Sequence, residues 1–407
     1  MTLSYEEARQ KVVDVALLFH QSQALRAERV DLNVALGRVL AREIASDRDY
    51  PPFDRSTRDG YALRSADLKN GTKSFRVAGQ VRAGTSFAGE VAAGQAVHIM
   101  TGAPVPRGAD AVLMLEHVRR VNEEIFPDRV VAAGQNIVPA GSEARRGQIL
   151  LAPGTRLGYA ELALSAQVGQ TRLEVHRRPR VAILSTGDEV VAVDRQPGPF
   201  EIRNSNSVSL SAQAALAGAE PIPLGNAPDR APELRKMIEH GLASDILVLS
   251  GGVSMGEFDL VEDVLRELGA EFFFDAVNIR PGRPAVFGRC REKLVFGLPG
   301  NPVSTMVTFE LFVVPAIDAL AGLAPRPLPL FKARLTKALD EKPGLAHFVP
   351  ALVTWREGDP LVESLPWQGS GDVVAVAKAN CFLFVPETKL QWAAGEWVNV
   401  LPRRGVF

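Results

Sequence analysis

Arg180-Val181-Ala182-Ile183-Leu184-Ser185-Thr186-Gly187-Asp188-Glu189 is the stretch from which the fold is read. An unbroken apolar run that ends in hydroxyls, a glycine and two carboxylates is the pattern of a strand buried on both faces and opening into a loop. The pattern returns twice, where Ile246 to Leu249 runs into Ser250-Gly251-Gly252-Val253-Ser254-Met255-Gly256-Glu257-Phe258-Asp259 and Leu294 to Phe296 runs into Gly297-Leu298-Pro299-Gly300-Asn301-Pro302-Val303-Ser304. Between them lie helix-length amphipathic segments, from about Ser205 to Ala217, Pro232 to Leu242 and Leu260 to Leu268, with a further strand-like run at Pro221 to Leu224. This alternation predicts an open α/β sheet of parallel strands linked by helices. Ligands bind such a sheet beyond the carboxyl ends of its strands, so three loops rich in glycine, hydroxyls and carboxylates are predicted to share one edge.

Outward from this core the texture changes on both sides. Strand-like runs near Phe272, Val286 and Val295 and a helix from Pro302 to about Leu320 complete the α/β part, and beyond Ala324 prolines and short β-prone runs predict a small all-β ending. Upstream, residues from Ser4 to about Leu40 carry Val12, Val13, Ala16, Leu17 and Leu25 at helical spacings. After Tyr50-Pro51-Pro52 short apolar runs broken by glycine continue to about Gly141, and residues 153 to 170 turn helical again. The β segment therefore reads as an insertion into a helical element, although two consecutive domains fit the same pattern.

The 407 residues carry 46 Lys plus Arg against 47 Asp plus Glu, a balance that gives no support for a nucleic-acid partner. An apolar share of 46% excludes disorder as the main state. Cys290 and Cys381 are too few and too far apart for a disulfide framework or a CxxC site, which makes a reducing cytoplasm the default. The opening Met-Thr-Leu-Ser-Tyr-Glu-Glu is no signal peptide, and the apolar stretch Leu294 to Ile317 is broken by Pro299, Pro302, Glu310 and Pro315, so no membrane span is expected.

The loops narrow the chemistry without deciding it. Gly251-Gly252 could turn backbone N–H groups toward an anion, yet neither GxxxxGK[ST] nor GxGxxG is present, and a tight strand-to-helix turn explains the glycines equally. Glu189, Asp229 and Asp259 offer hard oxygen ligands suited to Mg²⁺ bridged to phosphates, although each alone also fits a helix cap or a solvated acid. Asn301-Pro302 opens a helix able to receive an oxyanion, and Arg280-Pro281-Gly282-Arg283-Pro284 puts two permanent cations on a rigid turn. Asp59-Gly60 reads as a hairpin turn, and Thr101-Gly102-Ala103-Pro104 as an ordinary one. None of the six histidines has metal-ligand spacing, and no GxSxG elbow occurs.

Taken in order, Asp59-Gly60-Tyr61-Ala62, Thr101-Gly102-Ala103, Gly134-Gln135-Asn136-Ile137, Ser185-Thr186-Gly187-Asp188-Glu189, Ser250 through Gly256, Arg280 through Pro284 and Gly297 through Ser304 resemble the MoeA/gephyrin E-domain family, the molybdopterin molybdenumtransferases. The resemblance implies an elongated helical domain (residues 1–45 with 145–178), an inserted β domain (46–144), a Rossmann-like, doubly wound pterin-binding domain (179–323) and a C-terminal β domain (324–407). It implies a homodimer that transfers molybdate to adenylylated molybdopterin with release of AMP. A molybdopterin adenylyltransferase and molybdoenzyme-delivery proteins would be its partners.

Carried over by position, Glu189, Asp229 and Asp259 would serve Mg²⁺, with Asp59, Thr101 and Glu143 facing them from the partner subunit. Ser250, Gly251, Gly252 and Ser254 would hold the pterin and phosphate end, while Pro299, Pro302 and Ser370, with Arg280 and Arg283, would line the molybdate pocket. The chain departs from the family's pattern at Glu143, usually Asp, at Ala276, usually basic, at Arg230, where a second acid is common, and at Leu345 and Pro350, where arginines flank a Phe. These departures leave a second possibility, a non-catalytic molybdopterin-binding paralogue acting as a carrier.

Overall fold

The computed structural model describes residues 2–22, 27–252, 260–341, 344–389 and 391–406. Its centre is a six-stranded sheet in the order Glu220–Ala227, Arg180–Thr186, Ile246–Ser250, Lys293–Leu298, Val286–Cys290 and Glu271–Phe274. The first four strands are parallel, and Val286–Cys290 runs antiparallel to both of its neighbours. The expectation of an all-parallel sheet is thus corrected at one edge, where Arg291 and Glu292, both at positive φ, turn a tight hairpin between Val286–Cys290 and Lys293–Leu298.

Burial on both faces explains the continuous apolar runs. Val181, Ile183, Ile246 and Val248 join one core with the helices Tyr5–Ser22, Ser205–Ala217 and Pro302–Leu320, while Ala182, Leu184, Leu247 and Leu249 face Ala231–Gly241 and Leu260–Glu267. Pro302–Leu320 is apolar and long enough to cross a membrane, but it is packed inside this core. It passes through a π-helical turn at Phe309–Val313.

The first helix ends at Ser22, well short of the predicted Leu40. Ala27–Asp31 is instead a strand, paired antiparallel with Arg172–His176, because Val30, Leu32 and Leu40 bury against Leu173 and Val175. Ile44–Ala45 likewise pairs with Ile149–Leu151, so the chain leaves and re-enters this region side by side. The intervening segment forms a separate six-stranded sheet in the order Ala111–Met114, Gly60–Leu63, Gln95–Ile99, Phe75–Val81, Glu124–Pro127 and Val118–Val121.

Asp59-Gly60 is not the hairpin turn predicted. Gly60 opens a strand with a neighbour on each side, opposite Ile99 and Met114, and a Cβ there would meet the Leu113 carbonyl oxygen at 2.0 Å. The glycine serves close approach of two backbones.

At the carboxyl end of the chain five strands close into a barrel, Ala346–Arg356, Asp359–Ser364, Phe331–Leu335, Trp397–Pro402 and Cys381–Val385, the last pairing back to the first. Ile279–Arg280 joins this barrel as an added strand, with Arg280 opposite His347. The arginine turn is thereby anchored between the central sheet and the barrel.

Candidate active site

Parallel register brings the three predicted loops together. Ser185 lies opposite Ser250, and Ser250 opposite Leu298, so the strands stop at one level and their loops open on one edge. The edge lies between Arg180–Thr186 and Ile246–Ser250, where the chain reverses its direction of travel across the sheet, and that reversal leaves a crevice.

A cavity of about 450 Å³ fills the crevice. Its wall includes Ser185, Thr186, Gly187, Glu189, Asp229, Ser250, Gly251 and Gly252, so most of the residues predicted for the pterin and cation end converge here. Pro299 and Pro302, expected at the molybdate pocket, line it too, and Pro302 lines this cavity and not the second one described below. Ser254 and Asp259 lie outside the described residues. Gly251 and Gly252 have φ of 92° and 64°, and a Cβ on either would crowd Thr186. Thr186 itself is buried, and its Oγ1 has no hydrogen-bond partner among the described residues.

The acids of this cavity repel one another. Asp229 N–H donates to Asp188 Oδ1 at 3.2 Å, and partial burial, followed by the charges of Asp188 and Glu189, pushes the Asp229 carboxyl above its ordinary range. A hard cation or a proton would relieve that repulsion.

A second cavity, also about 450 Å³, adjoins the first and shares Pro284, Pro299 and Asn301 with it. It is lined by Arg280, Arg283, Ser304, Leu345, Trp367, Gln368 and Ser370, and among the described residues no acidic one lines it. Arg280, Arg283 and Ser370, distant in sequence, meet here because the added barrel strand carries the arginine turn to the residues 367–370 loop. Val303 N–H donates to the Ser370 carbonyl at 2.9 Å and fixes that loop against the helix start.

Asp59 and Thr101 flank the strands Gly60–Leu63 and Gln95–Ile99 of the separate six-stranded sheet, Glu143 lies in the segment that follows that sheet, and none of the three lines either cavity. Asp59 Oδ1 accepts from Thr101 N at 2.6 Å and from Thr101 Oγ1 at 2.9 Å, and these bonds hold its carboxyl below the ordinary range. Glu143 pairs with Arg55 at 2.6 Å. The Arg55-Ser56 strand is itself bonded to the Thr101 loop, through Ser56 N to Ala103 O at 3.0 Å and Gly102 N to Ser56 O at 2.8 Å, so the three form one exposed patch.

Several site residues escaped the sequence reading. Asn204 caps the helix Ser205–Ala217, accepting from Ser207 N, and accepts a second bond from Ser185 Oγ at 3.0 Å. Asn206 donates to Ser250 Oγ and to the Gly300 carbonyl, each at 2.8 Å, and so ties two of the three loops together. Asn204 carried a usable signal, a cap residue at a predicted helix start. The Asn206 bridge depends on a tertiary contact and carried none.

Profiles of known families match nearly the whole chain: the MoeA N-terminal region (domain I and II) over residues 3–169, a probable molybdopterin binding domain over 182–319, and the MoeA C-terminal region (domain IV) over 332–402. A molybdopterin molybdenumtransferase of Bacillus subtilis is 36% identical over 94% of this chain and 91% of its own length. One of Haemophilus influenzae is 35% identical over 98% of each. Among solved structures, a molybdopterin biosynthesis moeA protein of Pyrococcus horikoshii superposes with a TM-score of 0.84 at 29% identity, covering 99% of this chain and 100% of that one. With the ordered motifs, the two adjoining cavities and these full-length likenesses in agreement, the chain belongs to the MoeA family.

Proposed function

We propose that the chain is a molybdopterin molybdenumtransferase of molybdenum cofactor biosynthesis, acting on adenylylated molybdopterin and molybdate with release of AMP. The observation that carries this reading is the junction of two ligand-sized cavities of opposite character, one with Glu189 and Asp229, the other with Arg280 and Arg283. A phosphate-bearing pterin suits the first, beside glycine N–H groups and a carboxylate-held cation. A tetrahedral dianion suits the second, where no carboxylate among the described residues opposes it. Metal insertion requires the two to meet, and the shared wall of Pro284, Pro299 and Asn301 is where they would.

Mg²⁺ fits the donor set on chemical grounds. Glu189 and Asp229 are hard oxygen ligands in one wall, and partial burial, followed by the charges of Asp188 and Glu189, raises the Asp229 carboxyl. Among the described residues no group of three acids, histidines or cysteines could hold an ion unaided, so Asp259 and phosphate oxygens would complete the shell. The ion would neutralise the phosphoanhydride and leave AMP a better leaving group.

We further infer a homodimer. Asp59, Thr101 and Glu143 line neither cavity, and in a two-chain site they would face the cavities of a second copy. Sedimentation of the purified chain checks this directly, with a monomer at assay concentration as the contrary result.

The test of function is AMP release from adenylylated molybdopterin with Mg²⁺, run in parallel with molybdate, with tungstate and without oxyanion. Oxyanion-dependent release is expected; equal release without oxyanion would sink the transferase. One observation favours a second reading, a carrier that binds molybdopterin without transfer: Leu345 lines the arginine cavity where the family pattern has a cation. Tight pterin binding with no AMP release would establish it.

A further inference from the structure

Asn301 borders both cavities. The backbone around it is fixed at three successive carbonyls. Thr305 Oγ1 donates to Pro299 O and, at 2.9 Å, to Asn301 O, which also accepts from Thr305 N at 3.0 Å. Asn206 Nδ2 holds the Gly300 carbonyl between them at 2.8 Å.

The side chain is the opposite case. Asn301 occupies the cap position of the helix that begins at Pro302, with φ −66° and ψ 125°, yet its carboxamide makes no capping bond. Among the described residues it has no hydrogen-bond partner, and it is exposed. Asparagine in this position ordinarily accepts from a backbone N–H in the first turn and stabilises the helix by about 1 kcal/mol. Here that interaction is forgone, and a rigid backbone presents a free amide at the boundary between the arginine cavity and the acidic one.

We propose that Asn301 is a substrate-contacting residue whose Nδ2–H donates to an oxygen of the tetrahedral oxyanion as it stands between the two cavities. The inference rests on the transferase reading. A neutral donor suits this position: a third cation would hold the dianion back in the arginine cavity, and an acid would exclude it.

Two variants separate this role from a structural one. Asn301→Ala removes the donor but no cap, so the melting temperature should stay within about 2 °C of wild type. Its KM for molybdate should rise roughly ten- to a hundred-fold, the loss expected for a hydrogen bond to a charged group. Affinity for adenylylated molybdopterin without oxyanion should stay within about two-fold, and calorimetric titration with molybdate alone should weaken in step with KM. Asn301→Asp sets an anion beside the positive helix end, so it should melt no lower than wild type while its KM for molybdate rises further.

An unchanged molybdate KM in Asn301→Ala, with active wild type, overturns the assignment and leaves the transferase standing. Parallel losses of melting temperature and activity in Asn301→Ala would make the residue structural, and also overturn it. Wild-type protein that releases no AMP with any oxyanion removes the transferase reading and this role with it.

Discussion

Asp229 and Asp59 are two carboxylates, in separate regions of the chain, pushed in opposite directions. Asp229 sits in the cavity wall with Asp188 and Glu189 nearby, and its carboxyl is raised. Asp59 lies on the open patch, with two hydrogen bonds from Thr101, and its carboxyl is lowered. The first region holds charge that awaits a partner, whereas the second holds charge already satisfied. An acid crowded by other acids suits a cation, and an acid fixed by donors suits a constant role as an acceptor or an electrostatic guide.

Breaking either region at its glycine should have the largest effect. Gly60→Ala places a Cβ 2.0 Å from the Leu113 carbonyl oxygen, a backbone atom in a paired strand that cannot yield cheaply. A loss of roughly 3 kcal/mol or more is expected, measured by denaturant unfolding. Gly251→Ala meets the Thr186 carbonyl at 3.0 Å and takes up a φ of 92°, which should cost only about 1 to 2 kcal/mol while narrowing the cavity. Equal losses in the two variants would show that the patch and the cavity wall are built with the same tolerance.

The glycines also mark how far the sequence could be read. Val181 to Leu184 and Ile246 to Leu249 were legible as strands because burial on both faces removes every polar interruption. Their loops were legible as a site because an open parallel sheet has one ligand edge, and the register of Ser185, Ser250 and Leu298 places them there. The Asp59-Gly60 pair misled, since a glycine needed for close backbone approach looks the same as one needed for a turn. The hairpin at Arg291-Glu292 carried no Asn-Gly signal, and the helix end at Ser22 was hidden by apolar spacing that continues into a strand. Asn206 and Trp367 stayed invisible because their importance arises from loops more than forty residues apart in sequence that meet only in the fold.

Neutralising the two acids sharpens the contrast, with effects of opposite sign. The raised carboxyl of Asp229 means that the folded chain binds this proton more tightly than the unfolded chain. Its stability cost is absent below the unfolded carboxylate range and develops as pH rises through it. Asp229→Asn should therefore melt no lower than wild type at neutral pH, with any gain vanishing in acid, and should lose the stabilisation that Mg²⁺ gives wild type. AMP release should fall at least ten-fold. The lowered carboxyl of Asp59 contributes stability above the unfolded carboxylate range and loses it as pH falls through its folded value. Asp59→Asn should thus melt at or below wild type at neutral pH and converge with it in acid. Melting curves from pH 3 to 8 decide between these signs, and the same sign for both variants would abolish the distinction.

The smallest change tests what fixes Asp59. Its lowered carboxyl rests first on the Thr101 backbone N–H and second on the Thr101 hydroxyl. Thr101→Val keeps the first bond and the side-chain shape while deleting the second, so the Asp59 carboxyl should rise part of the way back toward its ordinary range. Direct NMR titration of the Asp59 carboxyl reads this, and the acidic limb of the AMP-release profile should move upward with it if the charged form of Asp59 is the working one. An upward titration with an unmoved acidic limb would leave Asp59 as a fixed brace for the Thr101 loop. An unmoved titration would assign its lowered carboxyl to the backbone bond alone, and the patch would then be organised by the chain's path from Met100 to Gly102 with the hydroxyl free for substrate.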